Sequence, residues 1–256
     1  MTGAKTAAAL EAVLFDFDGT LAETERLGHR VAYNAAFAQL GLDWTWDSAL
    51  YGELLAIGGG KERLAHYLNH YRQGGGVYGN RAELIAAVHE RKQQLFNALA
   101  ATIAFRPGVH RLVREARAAG LRLAIVTTAA RAGVDAVLGR DLELRAGFDF
   151  IAAGDIVPRK KPAPDIYRYT LEAMGLEARS CIAIEDAAIG LRAARTAGIV
   201  TLVAVSDYTR DENFSGAAAV LSDLGEPDAP AQVLAGPIPR HGFADVAYLR
   251  ELWESG

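Results

Sequence analysis

The chain is poor in cysteine, in long apolar runs and in excess positive charge, and each shortage excludes a class of protein. Cys181 is the single cysteine among 256 residues, so no disulfide can form within the chain. A reducing, cytoplasmic setting is expected on that ground. Cys181 lies in the apolar run Cys181-Ile182-Ala183-Ile184 and reads as a core thiol rather than a nucleophile. No stretch approaches the roughly 18 apolar residues of a membrane span. The opening MTGAKTAAALEAVLF carries one lysine and an apolar run broken by Glu11, a poor secretory signal. Lysine and arginine number 27 against 31 aspartates and glutamates, for a net charge of −4. Nucleic acid is therefore not an expected partner. An acidic protein that handles an anion must concentrate positive charge locally. Internal repeats and long low-complexity tracts are absent too, and a monomer is expected.

What is present is an alternation of periods. Residues 12–17 form a short apolar run ending in acid and glycine, which reads as a buried strand. Residues 23–40, 47–57, 61–71 and 80–101 carry helical spacing. Gly58-Gly59-Gly60 and Gly74-Gly75-Gly76 separate them as breakers, and Asn80 with Glu83 resembles a capping signal. After Arg106-Pro107-Gly108 the pattern becomes helix 109–119, strand 121–127, helix 132–139, strand 148–152 and helix 164–174. Strand 181–185, helix 187–197 and strand 201–205 follow. This predicts an α/β fold, a Rossmann-like parallel sheet covered by helices, with a small helical domain inserted after the first strand. The expected domains are a discontinuous core over 1–22 and 101–256 and a helical insert over 23–100. Beyond Gly225 only 243–254 looks helical.

In an open α/β sheet, ligands bind beyond the carboxyl ends of the strands. Four such ends carry polar chemistry. In Phe15-Asp16-Phe17-Asp18-Gly19-Thr20, Asp16 and Asp18 are two apart and share one side of an extended chain. Close carboxylates repel unless a cation joins them or one holds a proton. A hard cation such as Mg²⁺ suits them, and a carboxylate can also attack phosphorus. Ile125-Val126-Thr127-Thr128 offers a hydroxyl and backbone N–H groups. Lys160-Lys161-Pro162-Ala163-Pro164-Asp165 offers an ammonium in a loop stiffened by proline. Ile182-Ala183-Ile184-Glu185-Asp186 supplies two more acids, of which Asp186 reads equally as a helix N-cap. Taken singly, each has a plain structural reading: an acidic turn, a strand ending in threonine, a solvated basic loop, a cap.

In this order and at these ends, the four resemble motifs I to IV of the haloacid dehalogenase superfamily. The resemblance implies a Mg²⁺-dependent phosphatase with Asp16 as nucleophile and Asp18 as general acid/base. Thr127 and Lys161 would hold the phosphoryl group. Asp16 and Asp186 would bind Mg²⁺ through side chains and Asp18 through its carbonyl, with Glu185 in or near that set. The helical insert resembles the cap of subclass I, which closes over the site.

Within the insert, Leu21-Ala22-Glu23-Thr24-Glu25 forms the hinge, and Gly58-Gly59-Gly60-Lys61-Glu62-Arg63 is a glycine-rich turn entering a helix with two cations. Backbone N–H groups at a helix start, with Lys61 and Arg63, make an anion site, and a flexible linker with a solvated charged face is the competing reading. His89, Arg91 and Lys92 lie on a later helix. These runs, with Trp44-Thr45-Trp46-Asp47, Tyr51-Gly52-Glu53-Leu54-Leu55 and Phe150-Ile151-Ala152-Ala153-Gly154-Asp155, resemble the CbbY-type phosphatases. That family removes a phosphate from xylulose 1,5-bisphosphate, a misfire product that inhibits Rubisco of the Calvin cycle. The resemblance implies a small phosphorylated sugar as partner. Recognition then falls to Glu25, Gly59, Gly60, Lys61, Arg63, His89, Lys92, Thr127, Thr128 and Lys161. The family's histidine in the first cap helix falls at Gly28, with His29 beside it. That departure counts against the alternative of a β-phosphoglucomutase-like phosphotransferase. Another small phosphate monoester as substrate stays open, and the full motif set argues against a non-catalytic binding protein.

Overall fold

The computed structural model describes residues 9–72 and 80–256. The expected breaker Gly74-Gly75-Gly76 lies outside them. Strand β1 (Ala12–Phe15) is apolar and wholly buried, as a strand must be when it lies between parallel neighbours with helices on both faces. The chain then leaves the sheet through a π turn (Glu25–His29) and helices α1 (Arg30–Gln39), α2 (Ser48–Leu54), α3 (Gly60–His70) and α4 (Arg81–Leu99). It returns through α5 (Val109–Ala118), β2 (Arg122–Thr127), α6 (Arg131–Leu138), α7 (Leu142–Ala146), β3 (Phe150–Ala153) and α8 (Asp165–Met174). There follow β4 (Cys181–Glu185), α9 (Ala188–Thr196), β5 (Val200–Ala204), β6 (Ala219–Leu221), β7 (Val233–Ala235) and α10 (Val246–Ser255).

The seven strands run in the order β3-β2-β1-β4-β5-β6-β7. All pair in parallel except β7, which closes one edge antiparallel to β6. The register aligns Phe15 with Ile125 on one side and Ile184 on the other. The residues that follow those three positions therefore leave the sheet at one edge. Side chains alternate across the sheet. Phe15 enters the core under α5, α6 and α10, while Leu14 enters the core under α8 and α9. Cys181 is buried in that second core, as the sequence led one to expect.

The helices between β1 and α5 have a core of their own. Tyr33, Phe37, Trp44, Trp46, Tyr51 and Tyr67 form one aromatic cluster with Leu54, Leu64, Leu68 and Val88. Tyr33 and Trp46 approach to 4.6 Å between ring centroids. Asn34 clamps the Trp46 backbone from both sides, donating to its carbonyl and accepting from its N–H at 2.8 Å each. Asn80 caps α4 by accepting from Ala82 N–H and reaches Glu83 at 2.9 Å. The two connections to the sheet run side by side, Glu23 donating to Ala104 at 2.9 Å and Arg106 to Leu21 at 3.0 Å.

Three elements are absent from the sequence reading. Strands β6 and β7 span three residues each, too few for any periodicity to register. The five residues of α7 are held by Asp141, which accepts from Leu144 N–H at 2.9 Å. Among the described residues no helix is long and apolar enough to cross a membrane.

Candidate active site

The carboxyl ends of β1, β2 and β4 converge on one ammonium group. Lys161, on the loop before α8, donates to Asp16 at 2.6 Å, to Glu185 at 2.7 Å and to the Val126 carbonyl at 2.8 Å. Tyr167 on α8 also donates to the Glu185 carboxylate. Lys161 is only 4% exposed, so its charge is worth more here than in water. Asp16 and Glu185 hold its pKa above the usual lysine range despite its burial.

Three carboxylates remain poorly balanced by that one cation. Oxygens of Asp16, Glu185 and Asp186 lie within 4.8 Å of one another, and all three residues are buried. Burial raises Asp16 to about 8, with Lys161 pulling it down and Glu185 pushing it up. Burial and the neighbouring Asp16 likewise push Asp186 well up, while Ser206 hydrogen-bonds it and pulls the other way. A buried set of hard oxygens that would rather hold protons fits a divalent cation such as Mg²⁺. Asp186 is free for this because it does not cap α9: Ala187 is the N-cap residue, and Glu212 accepts from Ala188 N–H at 2.5 Å instead. Gly19 turns the loop with φ 80°, and a side chain there would collide with the Asp186 carboxylate.

Asp18 faces the helical layer. Its carboxylate accepts from His29 at 3.0 Å, and Lys92 donates to the other ring nitrogen at 2.9 Å. The ring therefore accepts at Nδ1 and donates at Nε2. Burial pushes Asp18 up, but His29, Thr24 and Lys92 outweigh it and hold the carboxyl down at about 2. Lys92 falls to about 8, because burial outweighs the attraction of Asp18 and Glu25. Sequence reasoning missed His29. A π turn closes i→i+5 and holds one residue more than an α-turn. That extra residue puts Gly28 against Phe96 and Ile103, where a Cβ would stand 2.7 Å and 2.9 Å from their atoms. His29 then stacks on Phe96 at 4.1 Å and reaches Asp18. The departure noted at Gly28 is a shift of register, not a missing imidazole.

One cavity collects most of the expected residues. Asp16, Asp18, Thr127, Thr128, Lys161, Glu185 and Asp186 line its floor. Glu25, His29, Gly59, Gly60, Arg63, His89 and Lys92 line the helical side. Burial, with Lys92 and Lys61 nearby, lowers His89 to about 4. Lys61 is not in the lining: half exposed, it pairs with Asp155 at 3.1 Å outside the cavity. Arg63 is in the lining but already engaged. It donates to Leu54 O at 3.1 Å, to Ile57 O at 3.3 Å and to the Tyr51 hydroxyl at 3.3 Å. That hydroxyl in turn donates to Glu25. At the start of α3, the Glu62 carboxylate occupies the space a Gly59 side chain would need. Arg91 turns away to Gln39 and Gln94.

Residues 10–198 match the haloacid dehalogenase-like hydrolase family. Protein CbbY of Cupriavidus necator is 45% identical over 251 residues, which cover 96% of this chain and 98% of that protein. A crystal structure of a mutant CbbY from Rhodobacter sphaeroides, in complex with xylulose 1,5-bisphosphate, is 46% identical. It superposes with a TM-score of 0.78 over 84% of this chain and 94% of its own. A β-phosphoglucomutase from Clostridium difficile, 22% identical with a TM-score of 0.74 over 96% of this chain and 98% of its own, shares the fold.

Proposed function

Since the chain belongs to the haloacid dehalogenase-like hydrolases and is a phosphatase acting on phosphorylated sugar, we propose that its substrate is xylulose 1,5-bisphosphate and its metal Mg²⁺. The observation that carries this reading is the pairing of two devices across one cavity. On the floor, Asp16 is held 2.6 Å from a buried ammonium. On the other side, Asp18 is tied to His29 and Lys92.

In the first half-reaction an Asp16 oxygen bonds to phosphorus and the sugar oxygen leaves, taking a proton from Asp18. In the second, a water oxygen bonds to phosphorus, the Asp16–phosphorus bond breaks, and Asp18 takes the water's proton. Held down at about 2, Asp18 is poised to act as the base of the second step. The proton Asp18 takes from water is the one it gives to the next leaving oxygen, and the His29–Lys92 pair orients its carboxylate between the two steps. Lys161 and Thr127 steady the phosphoryl oxygens as charge builds on them. Asp16 and Asp186 would hold the Mg²⁺ with the Asp18 carbonyl, Glu185 lying beside them, and the cation would neutralise carboxylate and phosphoryl charge. The insert then acts as a cap that selects the sugar, with Glu25, Arg63, His89 and Lys92 facing it.

Phosphate release from xylulose 1,5-bisphosphate and from sugar monophosphates, with and without Mg²⁺, tests the proposal. Mg²⁺-dependent release at a kcat/KM highest for the bisphosphate is expected, and preference for a monophosphate would sink it. The register-shifted His29 supplies the cap imidazole that a phosphotransferase reading requires, so that reading keeps its place. Isomerised sugar phosphate without free phosphate would favour it.

A further inference from the structure

The aromatic cluster of the helical layer includes one ring that the layer does not own. Tyr208 packs against it and is its single contributor from outside residues 25–99 among the described residues. Its ring meets Tyr51 edge-on, 5.6 Å between centroids at 72°. Ser48 donates to its hydroxyl at 3.4 Å, and the ring covers Gly52 so closely that a Cβ there would stand 3.3 Å away. Tyr208 rides on the loop after β5, and that loop is anchored at both ends to the turn carrying Asp186. Ser206 and the Asp186 carboxylate both stand against Gly19, and Ser206 is tied to Thr209, at 2.9 Å through its N–H and 3.1 Å through its hydroxyl. Glu212 caps the first N–H of α9.

We propose that Tyr208 is a positioning residue of the core that latches the helical layer shut over the carboxylates and fixes the Tyr51 ring. The Tyr51 hydroxyl bridges Glu25 and Arg63, so the latch sets both cavity-facing groups from a loop that also touches Asp186. An edge-on aromatic pair biases closure severalfold without making it irreversible. The claim about substrate selection rests on the phosphatase reading above, whereas the claim about closure does not.

Closure is read without substrate by zero-length carbodiimide coupling in the full-length protein. Asp155 lies 3.1 Å from Lys61 of the helical layer and also pairs with Lys160 of its own loop. The ratio of the Lys61–Asp155 to the Lys160–Asp155 product, measured by peptide mass spectrometry, therefore reports closure against an internal standard. Tyr208→Ala is expected to lower that ratio about fivefold and Tyr208→Phe to preserve it. With xylulose 1,5-bisphosphate, Tyr208→Ala raises KM about fivefold, while kcat/KM for p-nitrophenyl phosphate changes less than about twofold. An unchanged coupling ratio in Tyr208→Ala overturns the latch. Equal losses with both substrates reduce Tyr208 to a structural role and overturn it as a positioning residue. A wild-type enzyme inactive on every sugar phosphate rejects the substrate reading, and the coupling ratio still decides the latch.

Discussion

The sheet edge and the helical layer above it treat positive charge in opposite ways. At the edge, Lys161 spends its three bonds on Asp16, Glu185 and the Val126 carbonyl, groups at the ends of three different strands. In the layer, Arg63 bonds to Leu54 and Ile57, carbonyls a few residues before it in the same chain segment. The first cation is aimed at a shared reacting point. The second is built into the wall. The difference separates a floor suited to common chemistry from a wall suited to shape, and it ranks the substitutions below.

Asp16→Asn removes the proposed nucleophile from the floor while keeping its size. Turnover is expected to fall by about 10⁴ or more, with the thermal midpoint in metal-free buffer at neutral pH little changed, because Asp16, raised to about 8, already holds a proton there. Phosphate release measured alongside thermal unfolding checks both halves. Residual activity near wild type would move the nucleophile elsewhere.

The floor should also be sensitive to pH before any cation binds. Asp16 rises from 3.8 unfolded to about 8 folded, and Asp186 moves the same way. Between those limits the folded state holds protons that the unfolded chain releases, so stability falls as pH rises. His89, lowered to about 4, works in the opposite sense below pH 6.5. Asp18 and Lys92 shift outside the window, below 3.8 and above 8 respectively. The clean interval is therefore pH 6.5 to 8. In metal-free buffer the urea midpoint should drop across it, and Mg²⁺ should flatten the drop by taking the place of the protons. A slope unchanged by Mg²⁺ would count against metal binding at these carboxylates.

The same contrast decides what could be read from sequence. Asp16, Thr127 and Glu185 each sit directly after an apolar run, so the strand pattern delivers them to one edge without knowledge of any contact. The layer offers no such rule. Arg63 and Lys61 look alike on paper as cations two residues apart on one helix. Their partners, the carbonyls of residues 54 and 57 for one and Asp155 for the other, appear only once the chain is packed. His29 was hidden because a π turn displaces the register that α-helical spacing assumes. Strands β6 and β7 were hidden because three residues carry no period.

For Arg63, the expected loss is one of architecture first. Arg63→Ala leaves two buried carbonyls and the Tyr51 hydroxyl without their donor, each unmade bond costing about 1–3 kcal/mol. Urea unfolding should show a destabilisation of at least about 3 kcal/mol, and KM for the bisphosphate should rise with it. Unchanged stability with a raised KM would show the guanidinium to be a ligand rather than a brace, and would bring wall and floor closer together.

Lys61 should matter least. Its ammonium is half exposed and pairs with an Asp155 that is itself two-thirds exposed. Solvent exposure and side-chain freedom limit such a pair to below about 1 kcal/mol, and salt screens it further. Asp155 also keeps Lys160 when Lys61 is removed. Lys61→Ala is therefore expected to change stability by less than about 0.5 kcal/mol and KM for either mono- or bisphosphates by less than about twofold. Steady-state kinetics at low and high salt measures this directly. A bisphosphate-selective rise in KM that disappears at high salt would mean that Lys61 leaves Asp155 for the substrate, and that the wall holds one cation aimed like those of the floor.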